Sequence, residues 1–553
     1  MDPHAAEPNA AHRPILVVDD DPVVRESMQG LLELEGHRGA TTQGVGCVRT
    51  GRRTVGAARE GVTMGRIGNR RKHPPRGVVY EDWMGESDAL MWHIERDPLL
   101  RSTVLGVWLL DRAPDPQRFA ATLERTLHHV PRLRQRVVED PVGVAPPRWE
   151  SDPFFDLSYH IRHVRVPGTG TLRELLDMAA PVAVQGFDRD RPLWELHCVE
   201  GLDDGRFGMI LKMHHAMTDG VGMVRMTEGL VERSRDDGHA GSRARPARAG
   251  ATRSRVSAGT WPQESPGEIA HLGEAMRHRL ETALGRTRRA VAAFGRGVTQ
   301  FAGHPITSAG EVVDTLGSVA QLVRPVSEPL SPLWRRRSLG VRLDVLDVPF
   351  NEMKRTARAV GGTLNDVFVT AVAGGLSHYH RARRATVAAL RMSMPINIRG
   401  DDAKGAVAGN QFVPARFPVP MDIGDPRERL RTVGALVRGQ RDEPALGWTE
   451  EITAAINLLG ETAATRVVGS MMKAVDFVTS NVPGPPFPVF MSGARIERMF
   501  PFGPPAGAAV NITLFSYNGV ALIGIRSDPV AVPDPDRLVA ALRAGFDEVL
   551  AIA

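Results

Sequence analysis

The stretch Leu211-Lys212-Met213-His214-His215-Ala216-Met217-Thr218-Asp219-Gly220-Val221-Gly222 sets two adjacent histidines and an aspartate on a turn directly behind an apolar run. Upstream, Phe207, Met209, Leu211 and Met213 alternate with Gly208, Ile210 and Lys212, the period of a strand with one buried face. Gly220 and Gly222 permit a tight turn, and Val224, Leu230 and Val231 then suggest a helix, so the segment reads as strand, turn, helix. The histidines fall at the strand end. A neutral imidazole there has a pKa close to that of its medium and could take a proton from an alcohol or thiol attacking an acyl carbon. His215 is the candidate base and His214 a supporting group. Asp219 would hold the loop or an imidazole tautomer. Taken alone, the pattern favours satisfied core histidines, and a His with an Asp nearby also suits a metal ion.

Distant segments shift that balance. His214-His215-Ala216-Met217-Thr218-Asp219-Gly220 matches the HHxxxDG signature of CoA-dependent acyltransferases, and ordered blocks from Trp83 onward resemble one branch of them. These are Glu86-Ser87-Asp88-Ala89-Leu90-Met91-Trp92-His93-Ile94-Glu95, Phe155 to His163, which resembles a strand block of that branch, Asp190-Arg191-Pro192-Leu193-Trp194-Glu195 and Gly362-Thr363-Leu364-Asn365-Asp366-Val367. Thr479-Ser480-Asn481-Val482-Pro483-Gly484-Pro485, Pro501 to Pro504 and Val510 to Gly519 complete the series. The branch they resemble is the bacterial wax ester synthase/diacylglycerol acyltransferase family. One block departs from its pattern: Ser331-Pro332-Leu333-Trp334-Arg335-Arg336-Arg337 lacks the usual Asn-Gly-Pro, which puts acceptor specificity or activity level in question.

The resemblance implies an α/β fold of two similar halves, each a mixed sheet flanked by helices, with an active-site tunnel between them. It implies acyl transfer from acyl-CoA to diacylglycerol or a long-chain alcohol, acyl-CoA being a substrate and no cofactor or metal being needed. His215, His214 and Asp219 would be catalytic, Asp219 through pairing with an arginine that the sequence does not single out. Gly220, Pro192, Leu193, Trp194, Asn365 and Asp366 would support the site, with Trp194 shaping a wall and Asn365-Asp366 capping a helix. Ser480 and Asn481 could contact the substrate carbonyl. Pro483-Gly484-Pro485 is a rigid turn on composition alone. Condensation domains share HHxxxDG, but a carrier partner bearing a phosphopantetheine serine is not evident; a degenerate or regulatory member of the fold is the other alternative.

At 553 residues the chain is too long for a single core. Two cysteines, Cys47 and Cys198, argue against a disulfide framework and fit a reducing compartment. No apolar run approaches the ~20 residues needed to span a bilayer. The expected place is therefore cytoplasmic, with peripheral contact to an inner membrane or lipid droplet.

The net charge of +5 is modest, and nucleic acid is not an expected partner. Arg243 to Arg255 read as a linker, and Ile269, Leu272, Met276, Leu280 and Leu284 then recur at helical spacing among arginines, a basic amphipathic helix suited to a lipid surface. Near the N-terminus, Pro14 to Arg25 with Asp19, Asp20 and Asp21 resembles the first strand and acidic cluster of a response-regulator receiver, but the rest of that domain does not follow. The expected organisation is a truncated receiver-like remnant and basic segment over 1–79, and a first half over 80–235. A linker and helical excursion over 236–335 and a second half over 336–553 complete it.

Overall fold

A computed structural model describes residues 80–140, 145–236, 328–397, 412–441 and 461–553, with Arg277 and Thr453 as single positions. All of them belong to one compact unit, Tyr80–Gly400 with Val407–Ala553. The receiver-like stretch and most of the 236–335 segment, its basic helix included, lie outside the described residues.

The first half contains helices α1 (Glu86–Ile94), α2 (Pro116–His129), α3 (Leu172–Val184) and α4 (Gly220–Glu228). Its strands are β1 (Thr103–Leu110), β2 (Gln135–Val138), β3 (Arg148–Ser151), β4 (Ile161–Arg165), β5 (Trp194–Glu200) and β6 (Phe207–His214). The second half contributes α5 (Phe350–Ala359), α6 (Leu364–Ala382), α7 (Pro426–Arg441), α8 (Glu461–Lys473) and α9 (Pro535–Leu550). With them come β7 (Arg342–Pro349), β8 (Ala389–Asn397), β9 (Phe412–Pro420), β10 (Phe477–Pro483), β11 (Phe490–Met491), β12 (Ala494–Phe502), β13 (Val510–Tyr517) and β14 (Val520–Ser527).

Two six-stranded mixed sheets result. The first runs β11-β12-β1-β6-β5-β4 and the second β7-β14-β13-β10-β8-β9, while β2 and β3 pair separately. β10 is parallel to both its neighbours, and the first sheet is antiparallel except for β4 against β5. The halves are interleaved, because β11 and β12 come from the second yet complete the first sheet, with Leu105 of β1 opposite Phe502 of β12.

Three local readings are corrected. β6 is buried along all eight residues, not on one face, because helices and strands cover both sides of its sheet. The helix after the histidines stops at Glu228, where Gly229 caps it, so Leu230 and Val231 lie beyond it. The Phe155–His163 block is a short helical turn, Leu157–His160, before β4 rather than one strand; Asp156 accepts from the Ser158 amide and starts that turn.

α6 is buried nearly throughout and crosses α9 closely. A Cβ on Gly375 would lie 2.6 Å from Leu542 Cα, and one on Gly545 would lie 2.3 Å from the Ala371 carbonyl oxygen. Reciprocal glycines therefore allow the two backbones to meet. Among the described residues no single helix is long and apolar enough to cross a membrane. α5 and α6 pass together on length and composition but are bent by 102°, and α6 is core.

The block at Ser331–Arg337 folds back onto α6. Ser331 Oγ lies 2.8 Å from His380 Nε2, and the fully buried Trp334 meets His380 edge-on at 4.6 Å.

Candidate active site

β6 delivers the histidines to the seam between the halves. Its last residue, His214, is opposite Thr103 of β1, and the His214 amide donates to the Leu193 carbonyl at 3.0 Å. His215 opens a short helical turn, and its amide donates to the Ser102 carbonyl at 2.7 Å. Asp219 then caps α4 by accepting from the Gly222 amide at 2.7 Å, so its carboxylate fixes the turn as an N-cap.

The two imidazoles have different environments. His214 is fully buried, with Trp92 and Phe187 edge-on at 5.8 and 5.9 Å. Its Nδ1 accepts from the Ala216 amide at 3.1 Å, so Nε2 carries the proton and donates to Glu95 Oε2 at 2.8 Å. Both nitrogens are committed. His215 is half-buried and begins the loop itself.

Glu95 ends α1, and Arg189 braces it from the other side at 3.4 Å while stacking over Trp92 at 4.0 Å. Burial pushes the Glu95 carboxyl up, but the hydrogen bond from His214 together with Arg189 outweighs burial and holds it below the ordinary carboxylate range. Glu95 closes the first of the quoted blocks. Sequence reading passed over it as a site residue because its partner lies 119 positions away.

A second buried charge group shares the His214 face of β6, two residues back. Lys212 is fully buried, bonds Glu195 at 3.3 Å and sits 4.2 Å over the Phe187 ring; Glu195 also meets His197 at 3.3 Å. Burial raises the Glu195 carboxyl, yet His197 and Lys212 bring it down to about 2. Lys212 itself is pushed down by burial against the pull of Glu195.

Pro192, Leu193 and Trp194 are buried beneath the histidine turn. Trp194 donates from Nε1 to the Leu133 carbonyl at 2.8 Å and stacks on His160 at 4.6 Å, which makes it a core plate of the first half. Burial pushes the His160 imidazole down.

The second half meets the turn at β10. Gly220 abuts Val482, where a Cβ would stand 2.7 Å from Val482 Cγ2, so the HHxxxDG and SNVPGP segments are in contact. Along a strand, alternate residues share a face, so Ser480 lies on the Val482 side. Asn481 lies on the opposite side, with Phe477 and Thr479. Gly484 follows where a Cβ would strike the Ser516 carbonyl at 2.4 Å.

Asn365 and Asp366 belong to the start of α6. Asp366 closes a capping box with Thr363 and binds Arg438 at 3.1 Å, while Asn365 Nδ2 reaches Met394 Sδ at 3.4 Å. The cap is therefore Thr363, with Asp366 as its reciprocal partner three positions on.

Among the described residues no three His, Cys, Asp or Glu side chains gather as a metal site. Cys198 is free and buried, its thiol pushed up to about 11 by burial.

Comparison with known proteins agrees with this arrangement. The model for the wax ester synthase/diacylglycerol acyltransferase catalytic domain matches residues 84–368, and that for the family's C-terminal domain matches 408–549. A Mycobacterium tuberculosis (strain ATCC 25618 / H37Rv) protein whose name assigns it as a diacylglycerol O-acyltransferase is 34% identical over 483 residues, covering 85% of this chain and 92% of its own. A second from that strain, assigned likewise, is 29% identical over 84% of this chain and 96% of its own.

Among solved structures, the wax ester synthase/diacylglycerol acyltransferase from Marinobacter aquaeolei VT8 superposes with TM-score 0.53 at 21% identity, over 84% of this chain and 98% of that one. The first condensation domain of the calcium-dependent antibiotic synthetase has the same TM-score at 17% identity, over 86% and 96%. These two likenesses speak for the shared fold of two acyltransferase-like halves. The matched domains and the extent of the mycobacterial similarity go further: the chain belongs to the wax ester synthase/diacylglycerol acyltransferase family.

Proposed function

We propose that this chain is an O-acyltransferase that moves a fatty acyl group from acyl-CoA to diacylglycerol, a long-chain alcohol, or both, with His215 as general base. Acyl-CoA enters as substrate, and the reaction invokes no cofactor. Family membership and the activity assigned to the mycobacterial relatives support the reaction class. The observation that carries the residue assignment is His214: its Nδ1 is occupied by the Ala216 amide and its Nε2 by Glu95, which leaves His215 as the base.

His215 takes the proton of the acceptor hydroxyl as its oxygen attacks the thioester carbonyl. The C–S bond then breaks, and the leaving CoA thiolate receives that proton from the imidazolium. No acyl-enzyme forms. The tetrahedral oxyanion needs hydrogen-bond donors, each worth ~3 kcal/mol to the transition state. Ser480 is the better placed of the two polar candidates on β10, since it shares the Val482 face that meets the histidine turn. Asp219, Gly220, Pro192, Leu193 and Trp194 act by holding that turn, and Asn365 with Asp366 by fixing α6.

The lipid acceptor would be met at a surface, with the enzyme peripheral on a cytoplasmic membrane face or a lipid droplet and the basic amphipathic segment 269–289 as its contact. Deleting that segment should abolish liposome binding; unchanged binding would refute the surface assignment. Fold likeness alone leaves condensation-type chemistry as the alternative, and the acceptor decides between them.

The test is CoA release from palmitoyl-CoA by purified protein with dioleoylglycerol or hexadecanol. Acceptor-dependent release should fall by about 10²–10⁴-fold in His215→Ala with folding intact. Near-normal turnover in the variant would remove His215 from the mechanism. A well-folded wild type inactive with both acceptors would point to a non-catalytic member or another acceptor.

A further inference from the structure

A cleft opens along the seam between the halves, lined by residues of both. Its first-half wall includes Arg101 and Val184, and its second-half wall runs through Arg337–Val341, Gly507–Ala509 and Arg526–Asp528. It adjoins the catalytic loop through consecutive backbone: Arg101 lines the cleft, the next residue's carbonyl holds the His215 amide, and the Thr103 carbonyl accepts from Arg526 Nη1 at 3.3 Å.

The charge of this cleft is unbalanced. Three arginines line it against one acidic residue, Asp528, whose carboxylate is already occupied by the amides of Ser338, Val530 and Ala531 and by the Ser338 hydroxyl. Arg526 is 4% exposed and bonds only backbone carbonyls, those of Thr103, Gly503 and Ala183; its Nε is buried without a hydrogen-bond partner among the described residues. Burial pushes it down to about 10. Arg337 likewise bonds the carbonyls of Gly507, Val475 and Arg336, and Arg101 that of Val184. Arg337 has the carboxylates of Asp476 and Asp528 nearby, whereas Arg526 bonds carbonyls alone, and a guanidinium taken out of water without an acid partner is costly. A phosphate suits them, since guanidinium donors match its oxygens in fork geometry.

We propose that this seam cleft is an anion site that takes the phosphate groups of the acyl donor, with Arg526, Arg337 and Arg101 as its recognition residues. The proposal rests on the acyl-CoA reading above and adds to it the residues that would hold the end of the donor remote from the thioester. Glycine and alanine at Gly340, Gly507, Ala508 and Ala509 keep this wall free of bulky side chains.

Calorimetric titration of the full chain with CoA, and separately with pantetheine, which lacks the phosphates, tests this without turnover. The wild type should bind CoA more tightly, and Arg526→Met and Arg337→Gln should each weaken CoA about tenfold or more while leaving pantetheine unmoved. Arg526 also ties β14 to β1 and α3, so its variant could misfold; Arg337→Gln and Arg101→Gln, at half-buried positions, keep the test sound.

Equal affinity for the two ligands in the wild type, or equal weakening of both in the variants, would overturn the site. Phosphatidate vesicles retained by the wild type but lost by the variants, with CoA affinity unchanged, would overturn it in favour of a lipid headgroup. Its failure is separable from that of the acyltransferase reading. Turnover with an unchanged KM for palmitoyl-CoA in all three variants removes the cleft alone, whereas arginine-dependent CoA binding without acyl transfer to any acceptor removes only the reaction.

Discussion

At His214 a buried imidazole is fixed in one tautomer by an amide on one nitrogen and Glu95 on the other, and Arg189 keeps that carboxylate charged. Glu95 is thus a positioning residue for the loop that carries His215. Glu95→Gln keeps the size but removes the charge, and kcat should fall roughly tenfold to a hundredfold with little change in KM. The sign of the pH effect follows from its depressed pKa: the carboxylate that holds His214 is present above the ordinary carboxyl range and is lost as pH falls through the lowered value. The acid limb of the wild-type profile should therefore contain a group that Glu95→Gln lacks, and an identical profile and kcat in the variant would refute the role. The histidines and Asp219 were legible in the sequence, because their spacing is local. Glu95 was not, since its function appears only when the end of α1 is placed against the end of β6.

At the scale of elements, the contact between α4 and β10 joins two motifs that lie far apart in the chain. Gly220→Ala would place a methyl 2.7 Å from Val482 Cγ2, and the resulting overpacking should cost about 1–3 kcal/mol and shift the histidine turn. Val482→Ala in the same chain removes the obstructing methyls and should restore both melting temperature and turnover. A double-mutant cycle with no coupling would show that the contact does not position the turn. The turn character of both segments was readable from glycine and proline, and a helix start near Asn365-Asp366 from their capping chemistry, although the cap itself is Thr363. The extent of α4 departs from the sequence reading because capping by Gly229 outweighs the apolar spacing, and the turn before β4 departs from the strand that the resemblance implies because Asp156 caps a helical turn there.

For the whole molecule, the crossing of β11 and β12 into the first sheet makes the halves mutually dependent. Residues 80–235 expressed alone would leave the β1 edge without β12, exposing unpaired backbone and apolar surface. That fragment should aggregate or stay unfolded, whereas 80–553 should unfold cooperatively; a soluble 80–235 fragment with a cooperative transition would contradict the interleaving.

The sequence by itself determined the strand-turn-helix at the histidines, the two-half α/β class through its ordered blocks, and the identity of the general-base candidate, because these depend on local periodicity and on motifs a few residues long. Tertiary structure alone decided which imidazole is committed, which face of β10 meets the turn, and where three arginines converge. Those outcomes depend on contacts between residues as far as 423 positions apart, for which a linear chain carries no periodic signal.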